Sequence, residues 1–160
     1  MMALFLPKLI QVITLSAAVV TLSNAAADEI LVITQPNTAL KDFSTKKLEN
    51  IFLRKTLLND SGIRWIPLNL GTEHPLRQAF SLSLFKKRPE ALETYWNEQY
   101  FQGIVPPHVV ASEEAMLRFV TSTTGAIGYI LPCHLDERVQ VIYKLPTVEP
   151  IEQYCKDRTP

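Results

Sequence analysis

Glycine is scarce in this chain, since only 5 of its 160 residues are glycine. No glycine-rich nucleotide loop is present, and neither a G-x-S-x-G nor an H-E-x-x-H motif occurs. No two carboxylates have a spacing that would place them together on one helix face in an evident cleft. The sequence therefore predicts that the protein is not an enzyme.

The chain also lacks an excess of charge of either sign. Lysine plus arginine and aspartate plus glutamate each number 16, which gives a net charge of +0. A neutral chain offers no basic field to nucleic acid or to an anionic membrane surface. We therefore expect no nucleic-acid partner.

Metal ligands are few and widely spaced. The chain has 2 cysteines and 3 histidines, and no C-x-x-C or H-x-x-x-H spacing brings them together. This pattern predicts neither a metal site nor a cofactor.

The N-terminal segment has the pattern of a secretory signal. After Lys8, residues 9–22 include no charged residue, and small residues follow at 23–27 in an A-x-A-like arrangement. A membrane span needs about 20 apolar residues, and this run is shorter. We expect cleavage before Asp28, a periplasmic location, and no membrane span in the remaining part; an uncleaved anchor is the alternative. Residues 28–160 then have the length of one domain.

Both cysteines lie in the part expected to be exported. An oxidising compartment favours a disulfide between Cys133 and Cys155. Such a bond would hold the proline-bearing tail, residues 144–160, and is worth about 3 kcal/mol in the chain-entropy model.

The apolar pattern predicts alternating strands and helices. Strands are expected at residues 30–34, 65–70, 125–130 and 139–143, and helices at residues 44–55, 75–84, 89–100 and 112–120. Pro67, inside the second strand, indicates an edge strand or a strand end. The order predicts a three-layer α/β fold, in which helices cover both faces of a mixed or parallel sheet.

Two of the predicted helices have stripes that indicate burial. Tyr95, Trp96 and Tyr100 share one side of the third helix and are expected in the core rather than as a ligand platform. In the fourth helix, Ala115, Phe119 and Val120 are expected to form the buried face.

Several segments, taken in order, resemble the phosphate-type substrate-binding proteins of ABC transporters. They are LKDFSTKKLENIF at 40–52, LRQAF at 76–80, YW at 95–96, FQG at 101–103 and TGAIGYI at 124–130. The resemblance extends from about Ile30 to Tyr143. It implies a type 2 periplasmic binding fold, in which two α/β lobes clasp an oxyanion. Because residues 28–160 are only about half that length, we expect a single lobe, a three-layer α/β/α unit.

The resemblance also implies a binding site. In this family, backbone N–H groups and hydroxyls at helix N-termini hold phosphate or sulfate. The matching residues here are Gly71 and Thr72, with Arg77 in the first turn of the helix that follows. They predict a solute-binding protein whose ligand is phosphate or another oxyanion.

Other residues of this segment favour a different interpretation. Leu70 stands where the family has serine, Glu73 adds a negative charge, and Pro75 removes one N–H donor. Thr72 would then only cap the helix, and His74 would be either the true N-cap or a surface residue. The alternative function is an envelope module that has lost ligand binding and docks a partner protein or another copy of itself.

Mass spectrometry without reductant tests the predicted disulfide. We expect a Cys133–Cys155 linked peptide in exported material, because both thiols would meet an oxidising compartment. Two free thiols in periplasmic protein would contradict the prediction.

Overall fold

Five strands form one mixed sheet in the part of the chain that the computed structural model describes, residues 28–38, 40 and 43–155. The strands are β1 (Glu29–Thr34), β2 (Ile66–Asn69), β3 (His108–Val109), β4 (Ala126–Ile130) and β5 (Gln140–Pro146). Their order in the sheet is β3-β2-β4-β1-β5. β2 runs parallel to β3 and β4, whereas β1 is antiparallel to β4 and β5. The predicted signal segment, residues 1–27, lies outside the described residues.

The helices lie close to their predicted positions. They are α1 (Thr45–Phe52), α2 (Pro75–Phe85), α3 (Glu93–Phe101) and α4 (Glu113–Ser122). Ser44 caps α1 by accepting a hydrogen bond from Lys47 N at 3.2 Å, and Ser112 caps α4 by accepting one from Ala115 N at 3.1 Å. None of the helices in the described ranges is long and apolar enough to cross a membrane.

Adjacent residues of β4 show that helices cover both faces of the sheet. Successive side chains of a strand point to opposite faces. Gly128 faces Met116 of α4, whereas the ring of Tyr129 stacks on Phe80 of α2, with centroids 3.8 Å apart. The ring of Phe80 in turn packs against the ring of Phe52 in α1, and the two ring centroids are 4.9 Å apart. The predicted three-layer α/β/α arrangement is confirmed.

The two glycines of the TGAIGYI segment have different structural roles. Gly125 has a φ of 82°, and a Cβ there would lie 2.1 Å from the carbonyl oxygen of Arg64. At Gly128, a Cβ would lie 2.7 Å from the side chain of Met116. The first glycine lets the chain enter β4 through a tight turn, and the second lets α4 pack closely on the sheet.

The prediction for the aromatic stripe of the third helix is wrong. No residue of α3 is buried, and Tyr100 is 67% exposed, whereas Tyr95 and Trp96 are half-buried. The buried anchor of this segment is Leu92, in a 3₁₀ turn (Pro89–Leu92) that precedes α3. A one-sided stripe shows that a helix has a preferred face, but it does not show whether that face meets the core or a cavity.

The predicted buried face of the fourth helix is also displaced. Ala115 and Phe119 are only half-buried, whereas Met116, Leu117 and Val120 are buried. Met116 packs closely on Gly128 of β4, so the helix face that includes Met116 meets the sheet instead of the face that includes Ala115 and Phe119.

Pro67 lies in an inner strand, so the edge interpretation is wrong and the strand-end interpretation is correct. Ile66 N donates to Gly125 O of the β4 side at 2.9 Å, so the nitrogen of Pro67 faces β3. Because β3 pairs with β2 only from Leu68 onward, no ladder hydrogen bond is needed at the proline.

The predicted disulfide is present in the structure. Cys133 and Cys155 are bonded across a sequence separation of 22, with their Cα atoms 5.9 Å apart. The bond joins the 3₁₀ turn after β4 to the 3₁₀ turn after β5, and so ties the end of the described chain to the sheet.

An arginine joins α4 to the segment before β5. Arg138 makes two hydrogen bonds to the carboxylate of Glu114, at 2.8 and 3.0 Å, and it also contacts Asp136 at 2.6 Å. Hydrogen bonds from Arg138 and Arg118 lower the pKa of Glu114 from 4.5 to about 2. Glu114, Asp136 and Arg138 are half-buried, so this ion-pair network is partly in contact with solvent.

We predict that this network gives the protein an acid-sensitive contribution to stability. A carboxylate with a lowered folded-state pKa stabilises the fold above its unfolded pKa, and this stabilisation is lost as the pH falls from about 4.5 to about 2. Glu114→Gln should therefore lower the urea midpoint near neutral pH, and the gap to wild type should close in acid. Glu98→Gln, at an exposed position of α3, is the control. A gap that does not change with pH would contradict the prediction.

Candidate functional site

Arg77 is buried on α2 and forms no direct ion pair with any of the described carboxylates. Only 6% of its surface is exposed. Nη1 donates to Oδ1 of Asn69 at 2.5 Å, but Nε has no hydrogen-bond partner among the described residues. None of the ion pairs in the described ranges includes Arg77. Burying a charge without a counter-charge destabilises a fold, so a buried arginine without an ion pair indicates a functional role.

Tyr129 holds the hydrogen-bond partner of the arginine, Asn69, in place, but it does not neutralise the charge of Arg77. Its hydroxyl accepts from Leu70 N at 3.2 Å and donates to Asn69 Oδ1 at 3.4 Å. Complete burial raises the pKa of Tyr129 to about 12, although the charge of Arg77 acts in the opposite direction. The phenol therefore stays neutral at physiological pH and gives Arg77 no counter-charge.

Arg77 lines a cavity of about 300 Å³ just beyond the carboxyl end of β2. The polar residues that line it are Asn69, Thr72, Arg77, Glu93 and Asn97. The apolar residues that line it are Leu70, Pro89, Trp96, Pro106, Pro107 and Val109. In open α/β sheets, ligands bind outside the carboxyl ends of the strands, so the position of this cavity is that of a binding site.

The structure brings two of the three predicted ligand residues together. Thr72 and Arg77 both line the cavity, whereas Gly71 is exposed and is not part of the lining. The loop is held in place because Gln78 Nε2 donates to the carbonyl oxygen of Thr72 at 2.7 Å.

The first turn of α2 has few backbone donors left for an anion. His74 is the N-cap, and its Nδ1 accepts from Leu76 N at 3.2 Å. His74 N itself donates to Gly71 O at 3.0 Å, and Pro75 has no N–H. An anion in this cavity would therefore meet the side chain of Arg77 rather than the helix N-terminus.

Sequence reasoning missed three residues that build the site. Asn69 orients the guanidinium, Tyr129 holds Asn69, and Trp96 forms part of the cavity wall. Tyr129 and Trp96 belong to segments that carry the family resemblance, so the resemblance pointed to them without giving their roles. Asn69 had a weaker signal, as a polar residue at the end of a buried strand.

The part of the chain that the structure describes contains no group of three or more metal-ligating side chains. The cavity lining combines amide and hydroxyl groups, one buried cation (Arg77), one carboxylate (Glu93) and apolar side chains.

Comparison with known proteins identifies the fold. No protein-family model and no curated protein matches the chain. Among solved structures, it is similar to a protein from Clostridium perfringens described as a phosphate ABC transporter substrate-binding protein and solved with bound phosphate. That match has a TM-score of 0.58 and 19% identity, over 71% of this chain and 44% of the other. The chain therefore has the fold of part of such a protein.

Two further structures give the same result. An ABC-type phosphate transport receptor from Vibrio cholerae matches with a TM-score of 0.57 and 14% identity, over 72% of this chain and 45% of that one. PstS from Borrelia burgdorferi matches with a TM-score of 0.52 and 17% identity, over 67% of this chain and 42% of PstS. The chain thus spans less than half the length of these proteins, as expected for one lobe of a two-lobe fold. At these identities the similarity establishes the fold alone.

Proposed function

We propose that this chain is an exported solute-binding protein that holds an oxyanion at Arg77. The observation that carries the proposal is a buried guanidinium with no carboxylate partner in the described ranges, placed at the wall of a cavity. An oxyanion beside it would supply both the missing counter-charge and a hydrogen-bond acceptor. Hydrogen bonds to charged groups contribute about 1.5–3 kcal/mol, so the gain would be substantial.

The structural neighbours support this proposal by analogy. They are described as substrate-binding and transport proteins, and one was solved with bound phosphate. Phosphate is therefore the first oxyanion to test on this chain, with sulfate as the second.

Two features support export to the periplasm. The N-terminal sequence has a signal-like apolar run, and Cys133 and Cys155 form a disulfide, which is typical of oxidising compartments. We propose that residues 1–27 are removed and that residues 28–160 act as one domain.

A different observation favours partner binding as a second candidate function. Tyr100 and Phe101, at the end of α3, are 67% and 88% exposed, and Val105 nearby is 57% exposed. Exposed apolar groups that lie together are typical of protein interaction sites. An envelope protein or a second copy of the chain would dock there. This function requires association that depends on concentration or on a partner, and it does not require a response to small anions.

Thermal unfolding with phosphate and with sulfate tests the oxyanion proposal. A ligand that binds only the folded state adds about 2.7 kcal/mol of stability at roughly one hundred times its Kd, so Tm should rise with anion concentration. In Arg77→Met the rise should disappear. The variant should nevertheless stay folded without ligand, because an apolar side chain of similar length replaces a buried charge whose described partner, Asn69, is a neutral amide.

Arg64→Met is the matched control for this experiment. Arg64 is exposed and does not line the cavity, so the variant should respond to the anions as wild type does. An equal rise in wild type and Arg77→Met would place binding elsewhere, and no rise with either anion would contradict the proposal.

A further inference from the structure

The cavity has two chemically different walls. Asn69, Thr72 and Arg77 offer polar groups to an anionic head. The same cavity is also lined by the indole of Trp96 and the rings of Pro106 and Pro107. A small inorganic ion would use only the first wall.

The size of the cavity also exceeds the needs of an inorganic ion. A water molecule takes up about 30 Å³ of the liquid, so about 300 Å³ has room for roughly ten groups of that size. By the same measure, the four oxygens of a tetrahedral oxyanion at Arg77 take up about four of these ten volumes. The remaining volume lies within reach of the apolar wall.

The apolar wall is partly exposed to water. Trp96 is half-buried, and Val109, at the edge of the sheet, is 59% exposed although it lines the cavity. An apolar ligand group that covers these side chains removes their surface from water, which stabilises the complex at about 25 cal/mol per Å².

The charges of the cavity favour a ligand with one negative charge. Arg77 is the buried cation, and Glu93 is an exposed carboxylate that lines the same cavity. Phosphate groups carry between one and two negative charges near neutral pH, and Glu93 repels the second charge. A carboxylate brings a single charge and fits the planar fork of the guanidinium.

We propose that the cavity binds an organic acid with one carboxylate, which meets Arg77, and an apolar body, which packs against Trp96 and Pro106. This inference rests on the proposed function, because both require Arg77 to hold an oxyanion. It adds the chemical class of the ligand.

Calorimetric titration of the full chain with acetate, phenylacetate and inorganic phosphate tests this inference. Acetate and phenylacetate have the same head group, so the difference between their Kd values measures the contribution of the apolar wall. We expect phenylacetate to bind about tenfold more tightly than acetate, or more, and more tightly than phosphate.

Two substitutions identify the walls. Trp96→Ala should reduce the ratio of the Kd for acetate to the Kd for phenylacetate to less than about threefold, because the apolar body of phenylacetate loses its packing partner. Its control is Phe101→Ala, which removes an aromatic ring that is 88% exposed and outside the cavity lining. Glu93→Gln should improve phosphate binding more than phenylacetate binding, because it removes the charge that repels the second negative charge. Thermal melts of each variant check that it is folded.

The outcomes separate this inference from the proposed function. If phosphate binds through Arg77 but phenylacetate is no tighter than acetate, the inference is wrong and the oxyanion site remains. A tenfold preference that persists in Trp96→Ala also overturns it. If none of the three anions binds, the proposed function itself fails.

Discussion

A buried guanidinium that makes no direct ion pair with the described residues is the constraint on which the rest of this structure depends. Arg77 is held by a neutral amide, Asn69, and lies near a neutral phenol, Tyr129. Neutral oxygens solvate a cation only in part, so the fold gives up stability at this position. An anionic ligand at such a site would supply the counter-charge that the surrounding neutral groups do not provide. Functional sites commonly show such a trade between stability and binding.

The core is built so that the arginine has a fixed position. Tyr129 stacks on Phe80 and contacts Phe52, which anchors α1 and α2 on the face of the sheet that carries the polar group. On the other face, Gly128 lets Met116 of α4 approach the sheet. The TGAIGYI segment therefore does more than mark a strand. The hydroxyl of Tyr129 in this segment donates a hydrogen bond to Asn69, and Asn69 accepts one from the guanidinium of Arg77, which lines the cavity.

The local periodicity of the sequence predicted the main elements, because apolar spacing in α1 and in the strands reflects burial directly. It could not predict β3, whose two residues form a strand only by pairing with β2. The stripe of Tyr95 and Trp96 indicates a preferred helix face, but it does not show whether that face meets the core or a cavity. The family resemblance pointed to Thr72 and Arg77. The burial of Arg77 depends on Asn69 and Tyr129 from separate strands, and no local pattern contains that information.

The most direct test of this account is the NMR signal of the Nε–H group of Arg77. The signal can be assigned by its absence in Arg77→Met and followed while phosphate and then phenylacetate are added. If an oxyanion binds the guanidinium of Arg77, the charge beside it changes, so the Nε–H resonance should shift progressively as the anion is added. An anion that binds while the Arg77 signal stays unchanged would contradict the central claim.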